Sequence, residues 1–462
     1  MTTTLAPHPH RLSRNTAYVL WLISDTTRGL AGGLFAFALP LLTLIVTDDP
    51  LQAGVMGAVA AVVRTVSTLY GGVVADRHPR VRLMILGSVI GVVLSAAFTA
   101  LALTGSLTFA ALLIVTALLA VRGGIFDVAG ESAIKQIVPD GAMGRAQAAN
   151  QARDAVLQLA GGPLGGALLT VGGWLVGSVM AVMHLIAAVT AALLQRRITD
   201  TPATATVTDT DTDTDTDTEA TPADVIDATT ADIAQPVASA PAKPKTTAAT
   251  EMREGFRWLL ARADLRAALF IATVINLGFN AGLTTVVFAL QQSGHSPASI
   301  GWVATGSGAA MLAGALIAPM LVPRLRAGVL SIAGLTAATL GVVMLSVVED
   351  VWAITGVLAA AVLLLPAVNA ALLGYFMVAV PTELLGRANS VSMVLSMGAM
   401  PLGPLLAGFG LTWIGREGTL IVCAAICAIA AAMAAASRGL RSIPTEAGWS
   451  SHAARFAEEP PA

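Results

Sequence analysis

The sequence predicts an all-α membrane protein: twelve spans in two six-helix halves of related design. Three observations carry the prediction. Hydrophobic residues make up 55% of the 462-residue chain and charged residues only 12%, against roughly 25% charged in a soluble domain. Apolar stretches that could cross a bilayer core, which takes about 20 helical residues, recur along the chain. A block of residues in the first half returns in the second in the same order.

In chain order the apolar stretches are 17–45, 52–75, 81–103, 107–130, 146–171 and 172–195, then 262–290, 298–322, 327–348, 351–378, 386–413 and 418–437. Ahead of the first lies a polar segment with Arg11 and Arg14. The apolar run after it is too long for a signal peptide and lacks a cleavage pattern, so an uncleaved first span is expected. Glycine is abundant, at 44 residues, as expected where bilayer helices pack closely or bend. The stretch 196–252 breaks the pattern. It is rich in Thr, Asp, Pro and Ala, with the repetitive run Thr208 to Thr218; it cannot bury a core and is expected to be a disordered tether. The chain therefore divides into a bundle at 1–195, a linker at 196–252, a second bundle at 253–437 and a tail at 438–462.

Basic residues set the expected orientation. With the N-terminus in the cytoplasm, the inner loops hold Arg77, Arg80, Arg82, Arg145, Arg196, Arg197, Arg324, Arg326 and Arg387, and the tail adds Arg438 and Arg441. The outer loops hold Asp48, Asp49, Glu349, Asp350 and Arg416. Both termini are expected in the cytoplasm and the protein in the plasma (inner) membrane.

The repeat has three parts. Pro139-Asp140, Gly144-Arg145-Ala146 and Gly162-Pro163-Leu164 correspond to Pro381-Thr382, Gly386-Arg387-Ala388 and Gly403-Pro404-Leu405. Pro50, Gly54 and Arg77 correspond to Pro297, Gly301 and Arg324. Shared order at equivalent loops points to duplication.

The loop after the second span reads Gly72-Val-Val-Ala75-Asp76-Arg77-His-Pro-Arg80. It resembles the loop 2–3 signature of the major facilitator superfamily, G-x-L-A-D-R-x-G-R-K. That resemblance implies the family's fold and a gating role for Gly72, Asp76, Arg77 and Arg80, with Asp76 latching the halves at the inner surface against the eleventh span. Gly162-Pro163-Leu164-Gly165-Gly166 resembles the G-P-x-x-G-G motif of drug:proton antiporters, whose preceding Gly is Gln158 here. A plain packing kink is the alternative. The layout resembles the branch holding macrolide and enterobactin exporters, with Ala38-Leu39-Pro40-Leu41-Leu42 and Glu254-Gly255-Phe256-Arg257 as supporting phrases. It departs at Ala31-Gly32, where that branch often carries Gly-Asp, at Ser88 and Gly91, where it often carries an acid and an Arg, and at Ile125 and Phe126, where Gln and Gly should follow the fourth-span Arg.

An ionisable group inside a span costs about 2.5 kcal/mol or more, so each needs a reason. The first half holds several at one depth: Asp25 and Arg28 on one helix face, Arg64, Arg122, Arg153 and Asp154. In the second half no such charge is expected; its polar groups are Asn276, Asn280 and Asn369. Asp25 and Asp154 are the proton-coupling candidates, since burial and a neighbouring Arg act on a carboxylate in opposite senses; fixed ion pairs are the alternative. Arg28, Arg64, Arg122, Arg153, His184 and the three Asn residues are the substrate or cavity candidates. The surplus of Arg points to a substrate with an anionic or strongly polar acceptor group. Asp127, Glu131 and Lys135 form an i, i+4, i+8 stripe and read as a solvated interfacial face. His184, a lone polar group in its span, reads as a satisfied structural histidine or a proton handler.

Other function classes find little support. The six His and two Cys form no metal-ligand spacing, and Cys423 and Cys427 read as small hydrophobes. Net charge is −2, which gives no field for nucleic acid. No catalytic constellation, cofactor motif or Walker sequence appears. The expected function is proton-coupled export of a small organic molecule by a monomer; uptake or facilitated diffusion of a nutrient, or a non-transporting sensor, are the alternatives.

Overall fold

The computed structural model of the chain describes residues 15–138, 140–200, 256–381 and 398–458, with Leu384, Ala388, Val391 and Ser392 between the last two stretches. The linker past Asp200 and Arg387 of the repeat lie outside the described residues, as do the side chains of Asp76, Lys135 and Arg145.

The first half contains α1 (Thr16–Thr47), α2 (Pro50–Arg77), α3 (Arg80–Leu103), α4 (Phe109–Ile137), α5 (Asp140–Val171) and α6 (Gly173–Asp200). The sequence sets where several of them start. Asn15 accepts from the backbone N–H groups of Ala17 and Tyr18, and Asp49 caps α2 with Pro50 in its first turn, where a missing N–H costs nothing. α6 runs on to Asp200, five residues past the expected boundary at 195.

The second half contains α7 (Ala263–Gln292), α8 (Pro297–Leu321), α9 (Ala327–Val347), α10 (Val351–Val362), α11 (Leu365–Ala379) and α12 (Leu402–Ala436). Ser296 caps α8 with Pro297 behind it, as Asp49 and Pro50 begin α2. α10 and α11 follow one another within one span, 351–379, interrupted just before Pro366.

Among the described residues eleven segments are long and apolar enough to cross a membrane, against twelve expected, and α12 accounts for the difference. At 35 residues it would be about 52 Å long if straight, well beyond the roughly 30 Å of a bilayer core. Gly415 breaks it with a φ of 70°. A Cβ on Gly410 would strike Thr419, a contact that a straight helix could not make across nine residues. The arms 402–414 and 416–436 therefore form a hairpin: the end of the eleventh span, then the twelfth.

Loops rich in Arg gather at one end of the bundle and loops bearing Asp48, Asp49, Glu349 and Asp350 at the other. The two halves meet toward the acidic end. There one hydrophobic core unites Leu34, Leu41 and Met56 of the first half with Val286, Ile300 and Leu345 of the second. The backbones approach at glycine. A Cβ on Gly54 would strike the Pro404 carbonyl and Gly408; one on Gly301 would strike Gly162 and Pro163. These are the repeated residues of the sequence, now facing each other: Gly54 meets Pro404 as its counterpart Gly301 meets Pro163.

The tail is folded against the second half. α13 (Arg438–Ser442) and α14 (Trp449–Glu458) follow α12. Leu440, Ile443 and Trp449 are buried in the core of that half. A Cβ on Gly374 of α11 would meet the Trp449 ring, so glycine there is what seats the indole.

Candidate functional site

The intramembrane charges predicted from the sequence join into one network, with Asp127 at its centre. Close helix approaches assemble it. Gly33 meets Gly161 and Gly29 meets Leu157, which draws α1 along α5 and sets Asp25 within 2.6 Å of Arg153. Gly130 of α4 faces Asp25 and Arg28. Gly71 and Gly124 bring α2 against α4, and Arg64 comes beside Asp127.

The ion pairs run in sequence across four helices, α5, α1, α4 and α2, and a hydrogen bond to His184 adds α6. Asp154 pairs with Arg153 at 2.8 Å, Arg153 with Asp25, and Asp25 with Arg28. Arg28 reaches Asp127 at 2.5 Å, and Arg122 reaches the same carboxylate oxygen at 2.5 Å. Arg64 lies 3.5 Å from the other oxygen. Arg122 also donates to the His184 ring, 3.1 Å away, so His184 presents a lone pair to a guanidinium and acts as an acceptor. Trp21 supports the network from below, donating to the Gly130 carbonyl at 2.8 Å and lying under the Arg153 guanidinium.

Burial separates the members. Asp25 is 2% exposed and Arg28 9%, whereas Asp154 and Arg64 are each 51% exposed. Asp127 corrects the sequence reading. Its spacing with Glu131 and Lys135 suggested a solvated stripe, yet three Arg side chains surround it; Glu131, one turn nearer the Arg-rich end, is exposed.

Between the halves lies a cavity of about 410 Å³, within the usual range for small-molecule sites. Phe35, Phe37, Met56, Leu283, Phe288 and Met400 supply most of its wall; Arg64, Thr116, Asn280 and Thr284 supply the polar groups. A recess of about 20 Å³ opens beside it, sharing Phe35 and Arg64 and ending at Arg122, Asp127 and His184. Of the residues predicted to line a cavity, Arg64 and Asn280 face the main one. Arg28 and Arg153 are taken up in ion pairs. Asn276 and Asn369 line a separate 90 Å³ space inside the second half, and Asn369 continues into a 390 Å³ space with Tyr375 and Ser392.

The second half also holds charges that the sequence reading did not expect. Asp264, fully buried, pairs with Arg262 at 2.8 Å and accepts from the Tyr375 hydroxyl at 2.5 Å. Arg262 also donates to the Ala379 carbonyl at 2.9 Å. The pair sits at the first turn of α7, at the very start of the expected span 262–290, where the sequence reading passed over it.

The loop 2–3 motif spans the junction of α2 and α3. Arg77 is exposed, and Arg80 donates to the Ser132 carbonyl at 2.8 Å, tying the start of α3 to α4. In the α5 motif, Gly162 and Gly166 press on Ala304 and Pro297 of α8, and Gly165 on Phe37 of α1. Pro163 sits within α5, at the contact between the halves.

A two-half helical bundle with a cavity on its seam and charges buried beside it defines a polytopic membrane transporter. The chain belongs to the Major Facilitator Superfamily, whose family model matches residues 22–391. Among solved structures it is similar in fold to a bacterial homologue of the iron transporter ferroportin in an inward-facing state, with 15% identity, TM-score 0.64 and 94% of this chain aligned to 98% of that one. It is also similar to the nucleoside transporter NupG, with 12% identity, TM-score 0.63 and coverage of 91% and 100%. A bacterial homologue of the human lysosomal transporter Spinster aligns at 16% identity and TM-score 0.58, with 98% and 100% covered. No curated protein matches the chain.

Proposed function

We propose that this transporter exports a small organic molecule by alternating access, driven by protons, as a monomer in the plasma (inner) membrane with both termini in the cytoplasm. The observation that carries the reading is the ion-pair network that runs from Asp154 to Arg64 on the cavity wall. Buried charges are costly in a membrane protein and are retained where an ion pathway needs them. Asp25 and Asp154 are the proposed proton-coupling carboxylates, because each shares Arg153 and neutralising either one changes that guanidinium's partners. One proton crossing 100 mV supplies about 2.3 kcal/mol, enough for roughly a 50-fold solute gradient.

The gates follow the same reading. Glycine packing of α2 on α12 and of α5 on α8 closes the acidic, outer end, and the α5 motif Gly162, Pro163, Gly165 and Gly166 is the outer gate. Gly72, Asp76, Arg77 and Arg80 form the inner latch once the Arg-rich ends approach.

Uptake by cotransport is a second reading, favoured by one contact. Arg64 faces both Asp127 and the cavity, so a negative charge arriving at Arg64 can be balanced by a proton entering the network. Flux in proteoliposomes separates the two. Export predicts that protons and substrate move in opposite directions; cotransport predicts the same direction. Coupling that survives intact in both Asp25→Asn and Asp154→Asn removes these carboxylates from the mechanism.

A further inference from the structure

We infer that the cavity between the halves takes an apolar-bodied organic monoanion, and that its anionic group binds Arg64 in competition with Asp127. The inference rests on the transporter reading and adds the class of substrate.

Among the described lining residues Arg64 alone carries a formal charge. The other polar groups are neutral, namely Thr116, Asn280 and Thr284, and the remaining wall is hydrocarbon, aromatic ring or thioether. Such a surface offers one strong electrostatic contact and a large apolar one. A cationic substrate would meet a guanidinium with no carboxylate among the described lining residues of the main cavity; Asp127 lies behind Arg64 in the recess.

Arg64 is also the cation of the network that is held most loosely. Arg28 and Arg122 are buried and lie 2.5 Å from one Asp127 oxygen, whereas Arg64 is half exposed and 3.5 Å from the other. Its guanidinium fork suits a carboxylate, sulfonate or phosphate oxygen pair. The ion-paired network holds four Arg side chains, 28, 64, 122 and 153, against Asp25, Asp127 and Asp154, and Glu131 lies one turn from Asp127 on the side away from the cavity, so it does not compete for Arg64. The recess behind Arg64 is about 20 Å³, space for about one water. An anionic head therefore stops at Arg64, with its body in the 410 Å³ cavity.

The test is binding of a matched series to the full chain in lipid nanodiscs: 2-naphthylacetate, methyl 2-naphthyl phosphate (a monoanionic diester), 2-naphthylacetamide and 2-(2-naphthyl)ethylammonium. At least one of the two anions is expected to bind about tenfold or more tighter than the amide and the ammonium, about 1.4 kcal/mol; which anion does so separates a carboxylate site from a phosphate site. Arg64→Gln should abolish the preference and Arg64→Lys should restore part of it. Asp127→Asn should tighten anion binding, because the internal competitor is gone; if that variant fails to fold, the Gln and Lys pair decides. Tighter binding of the ammonium, an anion preference that persists in Arg64→Gln, or no anion binding at about 1 mM overturns the inference. Arg64-dependent anion binding without flux in proteoliposomes would sink the transport reading alone. Proton-driven flux of a cation, insensitive to Arg64→Gln, would sink this inference alone.

Discussion

Asp25 and Asp154 belong to the same network but differ in what they hold. Asp25 is buried between Arg28 and Arg153, so Asp25→Asn leaves two guanidinium groups facing a neutral amide. Removing one partner of a buried pair costs about 3–5 kcal/mol; Asp154 is half exposed, and a pair of that kind contributes about 0–1 kcal/mol. Thermal unfolding in detergent should show a marked drop for Asp25→Asn and little change for Asp154→Asn. Equal drops would mean that Asp154 is held more tightly than its exposure implies. The i, i+3 spacing of Asp25 and Arg28 was legible from the sequence because it lies within one helix. The central place of Asp127 was not, because it depends on Gly124 and Gly130 letting α2 and α1 approach α4. Arg262 and Asp264 escaped for a related reason: their burial comes from Tyr375 and the Ala379 carbonyl, more than a hundred residues away.

Gly54 and Gly301 set the distance between halves. A side chain at either would meet backbone of the opposite half, which cannot retreat as a flexible side chain can. Overpacking of this kind costs about 1–3 kcal/mol. Gly301→Leu is expected to weaken closure at the acidic end and raise maleimide labelling of a cysteine placed at Thr284 in the cavity, added from the acidic side. Unchanged labelling would show that the contact does not hold that end shut.

The tail helices are the elements that the sequence disguised. Residues 438–462 look like a polar extension by composition, yet α14 presents Trp449, His452 and Ala453 inward. His452 packs against the Tyr375 ring, 5.8 Å between centroids, and lies 3.4 Å from the Ser442 hydroxyl. Burial lowers its pKa below the ordinary histidine value; Asp264 opposes that shift, and Arg455 and Arg262 reinforce it. The undocked tail therefore binds more protons than the docked one below about pH 6.5. Docking is at full strength above that value, weakens as the pH falls through it toward the lower docked pKa, and levels off beneath. Hydrogen exchange of residues 446–458 should show protection lost on acidification in the native chain but not in His452→Gln. Truncation after Ile443 removes the buried indole, worth about 1.5–3 kcal/mol, and should lower the melting temperature; an unchanged melting temperature would mean that the tail adds no stability to the second half.

Helix boundaries elsewhere were legible where a cap and proline mark them, as at Asp49-Pro50 and Ser296-Pro297. The reversal at Gly415 was legible for another reason: Arg416 and Glu417 interrupt the apolar run, and the expected spans part between 413 and 418. The break between α10 and α11 was not, because it lies inside one long apolar stretch, where hydropathy cannot register a change of direction.

Across the whole molecule, two of the repeated pairs, Gly54 with Gly301 and Pro163 with Pro404, turn out to lie where the halves meet. Under the proposed alternating access, that pairing is the contact about which the two bundles would rock, with the acidic end closed by glycine contacts. The size and position of the cavity were not legible, since they arise from how α1, α2, α7 and the start of α12 diverge along the seam.

The most direct test of that rocking is a pair of spin-label distances in one reconstituted protein. One pair spans the acidic ends, Ser106→Cys and Glu349→Cys; the other spans the Arg-rich ends, Arg82→Cys and Arg324→Cys. Both are made after replacing Cys423 and Cys427 by Ala. Under conditions that drive flux, alternating access predicts a second population in which the acidic-end distance lengthens while the Arg-rich-end distance shortens. Two distances that stay fixed while solute crosses the membrane would contradict it.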